Sequence, residues 1–202
     1  MNQTASGPRG RPRDQAAGPA ILTAARDLVL RFGYAGVTTE MIAKAAGTGK
    51  QTIYRRWPSK AELVLDAFAA YAADQIDRAD CGNEPLQRAL CLFLARLFAA
   101  LAETGGAVRG LMAHAQADKA FRAQLFERLI LPRRQALLAV LERGVASGEL
   151  PPQADLEATV AAVYGAMWYR LMLDEALDDA FATRLAAFAV AGLHRPVSRR
   201  TM

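Results

Sequence analysis

The stretch VTTEMIAKAAGTGKQTIYRRW, residues 37–57, holds two short runs of helical periodicity separated by a glycine-containing turn, which is the sequence form of a helix-turn-helix. Thr38 stands where it would cap the first run. Glu40 falls in the first turn, where the helix dipole favours negative charge, and Gly47 closes the run after about two turns. The second run covers about Lys50 to Trp57. Val37, Ile42, Ala46, Ile53 and Trp57 form the expected small core, while Ala43 and Ala46 let the two helices approach closely. The outer face of the second helix then presents Lys50, Gln51, Thr52, Tyr54 and Arg55. Such a set can donate to phosphates and read base edges in the major groove.

The same periodicity continues on both sides. Upstream, residues 21–32 put Ile21, Ala25, Leu28 and Phe32 on one helix face with Leu22 and Val29 beside them, and Gly33 and Gly36 are expected to end that helix. Downstream, Pro58 and Ser59 open a further helix whose apolar positions are Leu63, Ala67, Phe68 and Tyr71. Past a loop at residues 81–85, Leu86, Leu90, Phe93, Leu97 and Leu101 form a stripe expected to end at Gly105 and Gly106. Residues 118–146 read as a long helix, kinked or interrupted at Pro132. SGELPPQ, residues 147–153, is a break.

The segment 155–173 carries two stripes at once. One is Leu156, Val160, Val163, Met167 and Leu171; the other is Ala158, Ala162, Gly165, Tyr169 and Met172. A helix apolar on two sides is buried on two sides, against its own core and against a second subunit. Residues 178–193 make the last helix before a basic tail at 195–202. Sustained period-two alternation and internal repeats are both missing from the sequence, so the fold class is all-α.

Composition narrows the function classes. The 202 residues are 52% hydrophobic and 22% charged, too apolar for a disordered chain and long enough to bury a proper core. Cys81 and Cys91 supply no disulfide framework and have no zinc-ligand spacing. The N-terminus is polar and basic, and Arg96, Glu157 and Arg170 interrupt the later apolar stretches, so a cytoplasmic home is expected. The net charge is +5, yet residues 1–60 hold ten basic and three acidic side chains. A basic N-terminal portion on a nearly neutral remainder is an electrostatic footprint for a polyanion or a plain solvated surface.

The run from Ile21 to Phe68 resembles the N-terminal domain of tetracycline-repressor (TetR) family regulators. The residues that carry the resemblance are IAKAAG, the Thr52-Ile53-Tyr54 triplet of the second helix, and Trp57-Pro58-Ser59-Lys60. It implies a leading helix, the helix-turn-helix and the start of a fourth helix in residues 19–66, followed by a helical effector-binding and dimerisation domain in residues 67–194. It also implies roles. Thr38 and Thr39 match positions that touch the DNA backbone, Lys50, Gln51 and Thr52 match positions that meet bases or phosphates, and Tyr54 and Lys60 match backbone clamps. Gly49 departs from the capping polar residue of many relatives, and Arg56 and Trp57 replace a more usual aromatic pair; both departures bear on base preference. Arg9, Arg11 and Arg13, in a flexible arm at residues 1–18, resemble arms that enter the minor groove in some relatives, or serve as a tail without a contact.

In the second domain, the sequence from Val140 to Leu173 resembles the last long helix pair of one TetR subgroup, in which two helices per subunit form a four-helix bundle across a two-fold axis. Leu137, Leu141 and Val145 then face Ala158, Ala162, Gly165 and Tyr169 across the dimer, or else form an internal core. By the same resemblance an effector cavity is expected within residues 86–173. Its candidate lining is Phe93, Phe98, Arg109 and Met112, with His114, Gln116 and Trp168.

Enzyme chemistry finds no footing. GTGK at 47–50 lacks the earlier glycine and following hydroxyl of a phosphate loop, because Lys44 and Gln51 occupy those positions. His114 and His194 form no metal or triad motif, so no catalytic residue, metal or cofactor is expected. The reading is a homodimeric regulator, taken as a repressor on a palindromic DNA operator released by a small-molecule effector. An activator or co-regulator with the same head, and a helical interaction protein without specific DNA binding, are the alternatives.

Overall fold

A computed structural model describes residues 12–77 and 84–194, with side chains described for 17–74 and 84–194. The chain divides into two compact units, residues 1–68 and 69–202. The described residues are helical apart from the connecting turns and loops.

In the first unit, α1 (Pro12–Gly36) begins inside the segment expected to be a flexible arm. Proline is well suited to a first helical position, because its missing N–H would go unbonded there anyway. Near the other end Gly33 takes φ 73° and ψ 163°, which breaks the helix where the sequence places its end. Ile21, Ala25 and Val29 are buried, whereas Phe32 is exposed beneath the Arg31 guanidinium, 5.0 Å from the ring centroid. The expected stripe is thus turned by one position at its end.

Helix α2 (Thr39–Ala45) is capped by Thr38, whose Oγ1 accepts from the Met41 N–H at 3.2 Å. Helix α3 (Lys50–Arg56) starts from Gly49 with no side-chain cap. Helix α4 (Lys60–Asp77) is preceded by Ser59, whose Oγ accepts from the Glu62 N–H at 3.1 Å. Val37, Ile42, Ala43, Ile53 and Trp57 are buried, with Ala46 half-buried. The Trp57 indole Nε1 donates to Asp66 Oδ2 at 2.7 Å, tying the end of α3 to α4.

In the second unit, α5 (Leu86–Ala117) is the long axis against which α6, α7, α8 and α9 pack. It does not stop at Gly105 and Gly106. A Cβ on Gly105 would lie 2.9 Å from Leu171 Cδ1, so this glycine provides room for a neighbouring helix instead of an end. Beyond it Ala107, Val108, Leu111 and Ala115 carry the buried stripe on. By length and composition α5 is also apolar enough to cross a membrane, despite Arg96, and its buried face serves as the core of this unit.

The next stretch divides into α6 (Lys119–Leu125), a π turn (Phe126–Ile130) and α7 (Leu131–Ala146). The Leu131 N–H bonds to the Phe126 carbonyl, five residues back. The interruption expected at Pro132 therefore falls just ahead of it, where the wider turn accommodates a ring that would otherwise clash with the preceding turn. Helices α8 (Leu156–Met172) and α9 (Asp179–Leu193) complete the unit. Asp118, Asp155 and Asp178 each cap a helix by accepting from the N–H three residues on.

The two stripes of α8 separate cleanly. Val160, Val163, Met167 and Leu171 are buried with Leu156 packed beside them, and Ala158, Ala162, Gly165, Tyr169 and Met172 are exposed. Leu137 and Leu141 of α7 are fully buried within their own unit and Val145 is half-buried against the same core. The expectation that Leu137 and Leu141 meet a second subunit is corrected: their surface is already spent. A further exposed apolar side chain lies on α9, where Phe188 is 72% exposed.

Candidate nucleic-acid interface and ligand pocket

A buried pivot sets up the first site. Ile53 points into the core from the middle of α3, so the residues around it, Lys50, Gln51, Tyr54 and Arg55, are turned to solvent and Thr52 is half-buried. The sequence brings these five together on one short helix, and the fold keeps them together. Tyr54 is 52% exposed, far more than an aromatic ring left to packing alone.

Lys50 is not an isolated cation. Its Nζ lies 2.7 Å from Glu40 Oε2, a pair that joins the start of α3 to the first turn of α2. Lys50 holds the Glu40 carboxyl below the usual carboxylate range, and Glu40 raises the ammonium in return. The pair is exposed on both sides, which makes it a weak, exchangeable contact. Sequence reasoning treated Glu40 as a helix-dipole residue and missed this partnership, since the two are ten positions apart and meet across the turn.

Thr38 is exposed, with its hydroxyl engaged as the α2 cap, while Thr39 is buried and offers little surface. Lys60 is also engaged within its own unit. Its Nζ donates to the carbonyls of Tyr34 at 2.9 Å and Val37 at 3.0 Å, and lies 4.5 Å from the Tyr34 ring centroid. An ammonium has three protons, and two of these secure the α1–α2 turn instead of reaching outward. Of the arm, Arg9 and Arg11 lie outside the described residues, as does the side chain of Arg13.

The second unit contains a narrow, mostly apolar pocket with a cavity volume of about 20 Å³. Met112 and Trp168, both expected, line it. The other expected residues do not. Phe93 and Phe98 belong to the core, with Phe98 stacked on Phe181 at 5.6 Å between centroids. Arg109 donates to the Leu171 carbonyl at 3.0 Å and to Asp174 at 2.8 Å, closing the end of α8. His114 packs edge-on against Phe121, and Gln116 is exposed. Each was placed by its residue type alone, and packing assigned it elsewhere.

The pocket wall comes instead from Leu97 and Leu101 of α5, Leu129 and Ile130 of the π turn, and Tyr164 and Met167 of α8. Of the described residues lining it, Arg133 alone carries a charge. Burial pushes the Arg133 guanidinium below its ordinary range and the Tyr164 phenol above its own. The Tyr164 hydroxyl donates to the Arg133 carbonyl at 2.7 Å. No sequence pattern announces Arg133, because its place depends on the π turn ahead of it. Among the described residues there is no group of three His, Cys, Asp or Glu able to hold a metal ion.

Comparison with known proteins agrees with this layout. Residues 21–67 match the family of bacterial regulatory proteins described as tetR family, and residues 83–189 match the tetracyclin repressor-like C-terminal domain. The chain is 32% identical to the helix-turn-helix-type transcriptional regulator YdeS of Bacillus subtilis, over 96% of this chain and 98% of that protein. It is 30% identical to the DNA-binding transcriptional repressor TetR of Mycobacteroides abscessus, over 93% of this chain and 98% of that one. The crystal structure of the TetR family transcription regulator SCO0332 superposes with a TM-score of 0.75 at 28% identity, covering 89% of this chain and 99% of the other. These relatives are transcriptional regulators, not enzymes.

Proposed function

Since the chain belongs to the TetR family of DNA-binding transcriptional regulators, we propose that it is a repressor that occupies a palindromic operator as a homodimer and leaves it when a small-molecule effector binds. The observation that carries the operator reading is the exposed face of α3, with Lys50, Gln51, Tyr54 and Arg55 held outward by the buried Ile53. One such helix per subunit reads one half-site, and two-fold symmetry of the dimer is matched by a two-fold repeat in the DNA.

Support for the dimer comes from apolar surface left uncovered within one subunit. Tyr169 is 65% and Phe188 72% exposed, and the small residues Ala158, Ala162 and Gly165 beside Tyr169 on α8 allow another helix to approach closely. Exposed aromatic residues grouped with small ones are a common signature of a helix–helix interface. The apolar pocket in the second unit supports the effector reading. Release follows if the effector binds better to a dimer form that does not fit the operator.

Selection of bound sequences from a random DNA pool at physiological salt tests this reading. An enriched inverted repeat is the expected outcome. Salt-sensitive retention with no enriched sequence would leave a basic surface without base readout and overturn it. A reporter placed behind the enriched repeat then gives the sign of regulation.

A further inference from the structure

We propose that Lys50 and Glu40 read a G·C base pair as one unit, the ammonium on the guanine edge and the carboxylate on the cytosine amino group. This deepens the operator reading and rests on it.

A carboxylate is out of place on a surface that meets phosphates, because it adds like charge where the DNA is already negative. Glu40 is nonetheless held beside the face of α3, with its Oε2 2.7 Å from Lys50 Nζ. A position in the first turn of α2 accounts for an acid there. Yet its carboxylate reaches across the turn to Lys50, while Thr38 supplies the α2 cap. Lys50 opens α3, and the N-terminal residues of a recognition helix are those that reach base edges. Both side chains are exposed, 49% for Lys50 and 74% for Glu40, so the pair can enter a groove intact. Gly49, directly before Lys50, has φ −84°, and a Cβ there would meet nothing within 4 Å. Neither backbone nor packing calls for glycine at that position; its effect is an approach to the pair clear of a side chain.

The hydrogen-bonding groups left over select the base pair. An ammonium has three protons; one goes to Glu40 and two donors remain. Glu40 keeps its other oxygen, Oε1, as an acceptor beside them. The unit therefore presents two donors and one acceptor. In the major groove a G·C pair presents the N7 and O6 acceptors of guanine and then the amino donor of cytosine, the complement of that set. An A·T pair presents acceptor, donor, acceptor, so an ammonium proton would face the adenine amino group and the carboxylate would face thymine O4. A phosphate accepts from the ammonium but repels the carboxylate. Glu40 thus makes Lys50 poorly suited to a plain backbone contact and well suited to one base pair.

Competition binding with the full-length protein and the inverted repeat enriched from random DNA tests the assignment. Each half-site is expected to hold one G·C pair whose replacement by A·T costs the parent about tenfold or more, the size of one good bidentate contact. In Lys50→Met that preference is lost while those at the other base pairs are kept. Glu40→Ala loses the same preference yet binds unrelated DNA more tightly than the parent, since a negative charge has gone and Lys50 is released to phosphates. Because the two act as a unit, the double variant loses no more discrimination than Lys50→Met alone. Both side chains are exposed, and a thermal melt of each variant checks that the fold is kept. A lysine serving only as a phosphate contact would lower affinity equally on all sequences in Lys50→Met and leave every base preference intact. That result on an enriched repeat overturns the proposal and leaves the operator reading standing; a pool with no enriched repeat overturns both.

Discussion

Lys50 Nζ, at the first residue of the recognition helix, sits 2.7 Å from Glu40 Oε2 in the first turn of the helix before it. A phosphate approaching α3 must compete with that carboxylate for the same ammonium. The folded-state pKa of Glu40 is depressed, so the pair is intact above the ordinary carboxylate range and is lost as pH falls through the lowered value. Near neutral pH the carboxyl stays ionised, so the pair is weakened there by salt screening and not by titration.

Glu40→Gln is accordingly expected to strengthen DNA binding several-fold at neutral pH, because Lys50 no longer has an anion to leave and one negative charge near the DNA is gone. Fluorescence anisotropy against the selected operator and against unrelated DNA checks this. A variant that binds both no better than the parent would show that Glu40 does not compete for Lys50.

Tyr54→Ala should lower affinity by about tenfold on every sequence, in line with the loss of one hydrogen bond to a phosphate together with its ring contact. The ring is half exposed, so the melting temperature should scarcely move. Anisotropy and a thermal melt on the same preparation decide it. Unchanged affinity would remove Tyr54 from the DNA surface.

Trp57→Phe keeps most of the buried ring and removes the donor to Asp66, 2.7 Å away. The cost should be about 1.5–3 kcal/mol, the range for a hydrogen bond to a charged group. Chemical denaturation is the measurement; stability equal to the parent would mean that the indole contributes by packing alone.

Gly165→Leu should leave the subunit folded, since a Cβ at Gly165 meets nothing within 4 Å in its own chain. It should weaken dimerisation by at least about tenfold through overpacking. Sedimentation at several concentrations reports the shift. A variant as dimeric as the parent would place the interface away from this face of α8.

Much of this architecture was legible because local chemistry decided it. Thr38 caps α2 where its spacing to Met41 says it should, and Gly33 breaks α1 with a backbone conformation that other residues rarely take. The two stripes of α8 were readable as two faces, since periodicity records which residues share a side. Periodicity does not record what covers a side. For that reason Leu137 and Leu141 were assigned to a second subunit although they are already buried in the core that α7 forms with α5 and α8. Gly105 misled for a related cause: its reason for being glycine is Leu171, sixty-six positions away in the chain. The pocket was the least legible part, because Arg133 reaches it through a π turn that no residue pattern signals.

That turn has a further consequence. Each α-helical residue swings the side-chain direction by about 100°, so a π turn amounts to one residue of added rotation between the segments it joins. Deleting any one residue from 126–130 and restoring a plain helix would turn α7 by about that angle. Leu137 and Leu141 would leave the core, and Arg133 would leave the pocket, in a single step. What this segment has to preserve is therefore a number of residues more than their identities: its side chains can drift among similar ones while its length stays frozen.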